Sequence, residues 1–349
     1  MSTTRLVAGL AGAVVIMSLG KSSASEPNPN PMYPQPPRSD TIDDYHGVKV
    51  ADPYRPLEDP DSPETRAWIE AENKITFDFL NAIPARSAIK TRLTELWDYE
   101  KFGIPAKEGD RYFYSHNTGL QNQSVIKTTK SLDAEPETLL DPNTLSAKGT
   151  VALTALVPSD DGELLAYGLA SAGSDWQEWK VRDVAKGQDL DDHLKWIKFS
   201  TASWTKDGKG FYYGRFPEPK PGEDLKGANY HQKLYYHQLG TLQTADRLVY
   251  ERPDQKEWQF QGTVTDDGAY LIITVAKGTD DKYRILYQDL TKDAAPVVDL
   301  IDNFDHDYTF VDNDGPVFWF KTDNDAPRKR LISIDTRQPE PEHWRELIP

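Results

Sequence analysis

Five strand-turn-strand units recur along the chain, and they restrict its fold more than any other feature. Their turns are KEGD (Lys107–Asp110), DDGE (Asp160–Glu163), KDGK (Lys206–Lys209), DDGA (Asp266–Ala269) and NDGP (Asn313–Pro316). A short apolar-aromatic run follows each turn: RYFY, LLAYGL, GFYYGRF, YLIITV and VFWF. The Gly-to-Gly steps are 53, 46, 60 and 47 residues. Hairpin repeats of roughly 40–50 residues mark β-propeller blades, and Gly accepts the positive φ that tight hairpin turns demand. The apolar runs predict strand pairs: 163–169 with 176–181, 210–216 with 233–239, 270–275 with 283–290, and 317–321 with 330–335. A four-stranded blade cannot cover its own faces and must stack on neighbours. Closed rings of four to eight blades satisfy that need, so a closed five-blade ring is as consistent with the repeat as five blades of a larger one.

The first hundred residues read differently. Arg5 precedes an apolar stretch from Leu6 to Leu19, followed by Gly20, Lys21 and the small residues Ser22–Ser25. This is the order of a secretory signal, with cleavage expected near Ala24, and it predicts export to a periplasm or the outside. The stretch is too short to span a bilayer comfortably. Residues 26–39 form a linker with prolines at 27, 29, 31, 34, 36 and 37, a composition that favours extended chain. From 40 to 60 there are turn signals and little periodicity. Ser62 and Pro63 then supply a helix cap and a first helical residue. Trp68, Ala71, Ile75 and Phe79 follow at helical spacing, Pro84 closes that helix, and Ile89, Leu93, Leu96 and Trp97 mark one face of a second. The expected domains are thus a signal (1–25), a linker (26–39), a helical segment (40–98) and a propeller (99–349), mainly β overall.

Composition narrows the partners. The formal charge of −16 argues against nucleic acid and anionic membranes. Cysteine is absent, which removes disulfides, thiolate chemistry and Cys-based zinc sites. There is no G-x-S-x-G elbow, dinucleotide fingerprint, P-loop or H-E-x-x-H, so no cofactor or metal is implied. His231 and His237 lie six apart, which would place both on one face of a strand, where they read as blade-surface histidines. Asp302, Asp305 and Asp307, with Asp323 and Asp325, read as solvated loop charges.

Longer phrases carry more. DDYHGVKVADPYRPLEDPDSPETRAWIEAENKIT (Asp43–Thr76), RYFYSHNTGLQNQSV (Arg111–Val125), LLDPNTLSAKGTVAL (Leu139–Leu153), YGLASAGSDW (Tyr167–Trp176), HQKLYYHQLGT (His231–Thr241) and LIDNFDHDY (Leu300–Tyr308) occur in this order. From about Tyr45 onward the chain closely resembles prolyl oligopeptidase, the post-proline-cleaving serine peptidase family. The resemblance implies a seven-bladed propeller that gates short peptides into an α/β-hydrolase domain, on which the N-terminal helices pack. The family's Ser, Asp and His lie after its propeller, and its GGSNGG motif is not among these residues. The expectation is therefore a truncated propeller of about five blades, inactive alone, with no catalytic residue to assign. Phe199 in IKFS matches a family Phe that contacts substrate; the bland alternative is a blade-core aromatic. Asp175 in GSDW, beside Trp176, matches an Asp that pairs with a hydrolase-domain Arg, and without that Arg its carboxylate should be solvated. A family substrate-contacting Arg is replaced by Ala276 in VAKG, with Lys277 beside it as a weak substitute for the charge. The implied partners are short proline-containing peptides and the hydrolase domain. A second reading, from another class, is a stand-alone propeller that binds peptides or a protein without chemistry.

Overall fold

The computed structural model describes residues 32–224 and 227–349. The expected export signal (1–25) and residues 26–31 of the expected linker lie outside them. Contacts divide the chain into two compact units after Glu95.

In the first unit, residues 32–41 lack regular structure, and the Trp68 indole N–H donates to the Pro34 carbonyl at 3.2 Å. A hairpin of β1 (Ile42–Tyr45) and β2 (Val48–Ala51) follows, in a segment whose sequence showed no periodicity. Its turn holds both His46 and Gly47 at positive φ, 55° and 88°, the geometry that fits strand twist. Helix α1 (Pro63–Ala82) begins as expected: the Ser62 hydroxyl accepts from the Thr65 N–H at 3.2 Å, and Pro63 occupies a position where no N–H is needed. Helix α2 is Arg86–Trp97. Phe79, Ile89, Leu93, Leu96 and Trp97 are all exposed in this chain. No helix among the described residues is long and apolar enough to cross a membrane.

The second unit is five antiparallel sheets, one for each repeat. Blade 1 contains β3 (Lys101–Phe102), β4 (Ala106–Glu108), β5 (Arg111–Asn117), β6 (Val125–Thr129) and β7 (Glu137–Leu140). Both β3 and β4 pair with β5, so this blade's first strand is split, at a segment containing Pro105, which has no N–H to donate. Blade 2 is β8 (Val151–Pro158), β9 (Leu164–Ser171), β10 (Gln177–Asp183) and β11 (Gln188–Ile197). Blade 3 is β12 (Ser203–Trp204), β13 (Gly210–Arg215), β14 (Lys233–Gln238) and β15 (Arg247–Tyr250). Blade 4 is β16 (Trp258–Val264), β17 (Tyr270–Lys277), β18 (Arg284–Asp289) and β19 (Val297–Ile301). Blade 5 is β20 (Tyr308–Asp314), β21 (Val317–Thr322), β22 (Arg330–Asp335) and β23 (Arg345–Ile348). All four predicted strand pairs form.

Every Asp-Gly-type turn joins a blade's first strand to its second. Three of them share a fuller chemistry. Ser159, Thr205 and Thr265 each bond an Asp two residues on, at 2.6, 2.7 and 2.6 Å. Each also accepts, on its carbonyl, the N–H of the following Gly, which sits at φ of 71°, 64° and 71°. The working motif is therefore Ser/Thr-x-Asp-Gly. Lys206 ties these turns across blades, pairing with Asp160 at 2.5 Å and Asp266 at 3.8 Å.

Buried apolar clusters lie between blades, where stacking places them. Phe113 and Ile126 meet Leu165 and Tyr167; Trp179 and Leu194 meet Trp204 and Phe211; Tyr212 and Leu234 meet Phe260 and Leu271; Ile272 and Ile285 meet Phe318 and Ile332. Among the described residues no such cluster joins blade 5 to blade 1.

Two sequence readings change here. His231 is exposed, outside β14, with φ 61°, while His237 is fully buried within it, so they are not a pair of surface histidines. Asp307 is not a solvated loop charge either: it is buried and paired with Lys329. No group of three metal-ligating side chains occurs among the described residues.

Candidate functional site

Strand direction collects the singled-out residues at one end. In each blade the second strand starts at the Asp-Gly turn and runs away from it, and the fourth strand ends on that far side. Asp175 and Trp176 follow β9, Phe199 follows β11, and Lys277 ends β17. All four therefore lie at the blade ends opposite the Asp-Gly turns.

Phe199 sits in the short crossover from blade 2 to blade 3. Ile197 and Ala202 are buried on either side of it. The crossover is pinned by backbone bonds: the Gly214 N–H donates to the Ser200 hydroxyl at 2.8 Å, and Gln232 donates to the Lys198 carbonyl at 3.2 Å. Phe199 itself is 55% exposed and has φ of 51°. A blade-core role is therefore excluded. A bulky residue held in the left-handed region and turned to solvent costs stability, and such strain concentrates where a side chain must be presented.

Beside it is a cluster that sequence reasoning only partly found. The Trp176 indole packs edge-on to Trp196 at 5.6 Å and Phe216 at 6.2 Å, and its N–H donates to the Asp224 carbonyl at 2.6 Å. The Lys198 ammonium lies 3.9 Å from the Trp176 ring centre and donates to Asn229 at 3.0 Å. Burial holds this ammonium below the usual lysine range, against the opposing pull of the Asp175 and Asp224 charges. Lys198 was missed, although it precedes Phe199 in the IKFS phrase. Asp175 is exposed and forms no ion pair among the described residues. The Lys277 side chain is exposed and likewise unpaired, and it lies on blade 4 rather than in the Trp176–Phe199 cluster.

The side-chain partners of His116, His193, His237 and His306 are carboxylates, and among the described residues no serine hydroxyl bonds a histidine. The arrangement can present an aromatic, a buried cation and flanking charges to a ligand, but it holds no nucleophile–base pair.

Five antiparallel sheets stacked through buried apolar clusters define a β-propeller module. The profile of "Prolyl oligopeptidase, N-terminal beta-propeller domain" matches residues 34–349, and the chain belongs to that family. Prolyl endopeptidase of Elizabethkingia meningoseptica is 36% identical over 96% of this chain and 47% of the relative. Prolyl oligopeptidase A of Amanita bisporigera is 34% identical over 94% of this chain and 47% of its own length. Among solved structures, prolyl oligopeptidase B of Galerina marginata, bound to a 35mer hydrolysis and macrocyclization substrate, superimposes with a TM-score of 0.81 at 28% identity, covering 91% of this chain and 48% of that one. The chain thus spans about half the length of the relatives it matches.

Proposed function

We propose that this chain is the substrate-gating propeller, with the leading helices, of a serine peptidase that cleaves short peptides on the C-terminal side of proline. The match of residues 34–349 to the propeller domain of prolyl oligopeptidases carries the reading. In it, Phe199 offers an apolar contact to substrate, Lys277 supplies a nearby charge, and Asp175 with Trp176 meets the hydrolase domain. The exposed apolar stripe of α2, with Ile89, Leu93, Leu96 and Trp97, is the helical surface that domain covers. Transfer of the acyl group belongs to a Ser-His-Asp set on that domain. The same stripe weighs against the stand-alone propeller, which would leave it in water. The leader at residues 1–25 places the enzyme outside the cytoplasm in this reading; N-terminal sequencing of the exported protein, with a start near residue 25, checks that part.

The test is a fusion of this chain to the catalytic half of the Elizabethkingia enzyme. It should cleave a proline-linked chromogenic peptide and spare folded proteins. Phe199→Ala should raise KM more than it lowers kcat. A fusion that folds yet cleaves with no preference for proline or for short substrates would sink the proposal.

A further inference from the structure

A cleft of about 700 Å³ opens between blades 3 and 4 at the Asp-Gly-turn end, away from Phe199. Tyr212, Tyr236 and Arg247 line it from blade 3, and Gln288, Leu290 and Asp293 from blade 4. Most charges around it are already satisfied: Lys206 pairs with Asp160, Lys292 with Asp289, and Asp207 with Lys209. Four groups are not. Arg247 stacks 5.3 Å over the Tyr236 ring and has no carboxylate partner among the described residues. Tyr212 is only 3% exposed, lies against Arg247, and its hydroxyl donates to no acceptor among the described residues. Gln288 donates through Nε2 to the Ala295 carbonyl at 2.7 Å, which fixes the orientation of its amide. Its Oε1 is then buried with no donor and closed off from the cleft, so it offers a ligand no contact. Asp293 lines the same cleft without an ion pair.

Unpaired charges of both signs on one cleft, with a hydroxyl beside them that has no acceptor, mark a place where ligand groups belong. The unmet set has two poles. Arg247 and the Tyr212 hydroxyl are donors suited to a carboxylate, while Asp293 calls for an ammonium. An inorganic anion meets the first pole and is repelled by the second. A hydrophobic ligand meets neither. A cleft of several hundred cubic ångströms with aromatic walls and a few convergent polar groups is the size of a small-molecule site. We propose that this cleft is a second, non-catalytic site for a free di- or tripeptide. The peptide's C-terminal carboxylate lies on Arg247 and Tyr212, and its ammonium lies on Asp293. The proposal does not depend on where or whether the chain takes part in hydrolysis.

The probe is Ala-Ala-Pro with a free carboxylate, titrated calorimetrically into the full chain beside its C-terminal amide and inorganic phosphate. The acid form should bind, with the amide and phosphate each at least tenfold weaker. Arg247→Met should lose binding at least tenfold. Asp293→Asn should also weaken it. Leu132→Ser, an exposed change on blade 1 away from the cleft, should leave the affinity unchanged. Equal binding of acid and amide, phosphate binding as tight as peptide, or full affinity in a folded Arg247→Met would each overturn the site. Loss of binding in a folded Leu132→Ser would overturn it too.

Discussion

The sharpest quantitative consequence of the fold lies between blades 2 and 3. His237 on β14 is 0% exposed, with Nδ1 2.7 Å from Asp246 and Nε2 2.9 Å from Asp192, which is on β11. Both partners are acceptors, so both ring nitrogens must donate and the ring is an imidazolium. Gly240 N–H at 2.7 Å and the Tyr213 hydroxyl at 2.5 Å complete the carboxylates' shells. Burial alone would pull the His237 pKa down, but the bonds to Asp192 and Asp246 outweigh it and push it up to about 9. An unfolded His titrates near 6.5. A group with a raised folded pKa contributes in full below the unfolded value and loses that contribution as pH climbs to the folded value. The span of about 2.5 units at about 1.4 kcal/mol each is worth about 3.5 kcal/mol in full, roughly three-hundredfold in the unfolding constant. The assay is urea unfolding of wild type and His237→Gln from pH 6 to 9.5, followed by tryptophan fluorescence. The stability gap between them should shrink by about 3 kcal/mol across the window. Should His237→Gln fail to fold, Asp192→Asn serves: with one partner neutral, the wild-type decline should begin at lower pH. A gap that stays constant with pH, or a decline at the same pH in Asp192→Asn, would refute the imidazolium clamp.

Other outcomes are open to the same denaturation experiment. Phe199→Gly should hold or raise stability, by up to about 1 kcal/mol, because it relieves a left-handed bulky residue; a loss of more than that would show the side chain packs after all. Gly109→Ala should be severe, about 2–3 kcal/mol, since a Cβ there would lie 2.0 Å from the Asp161 carbonyl oxygen at φ 57°. Gly187→Ala, also at positive φ but with nothing within 4 Å, should cost only about 1 kcal/mol. Ser62→Ala should weaken α1 by about 1 kcal/mol through the lost Thr65 cap, read by circular dichroism.

What sequence could read followed from local rules. Asp-Gly turns, the apolar runs after them and the Ser62–Pro63 start depend on neighbours in the chain, and each formed where expected. The β1–β2 hairpin escaped because its turn depends on a non-Gly residue, His46, at positive φ, which no pattern announces. The Ser/Thr of the blade turns was overlooked because its role is to bond a backbone that only the folded turn brings round. His237 looked like a surface residue because its Asp192 partner is 45 residues away on another blade. Phe199 could be named from the phrase it sits in, but its exposure could not. An apolar side chain is expected inside, and here the left-handed crossover turns it out. Lys277 and Asp175 reached the same end of the blades through strand direction alone.

We propose that these residues gate a post-proline peptidase and do not themselves cleave. The direct measurement is turnover of a proline-linked chromogenic peptide by the purified chain, alone and then with the catalytic half of the Elizabethkingia enzyme added separately. The account predicts no serine-inhibitor-sensitive turnover alone, and turnover that rises with added chain when the catalytic half is present. Inhibitor-sensitive cleavage by the chain alone, or a catalytic half indifferent to its presence, would contradict it.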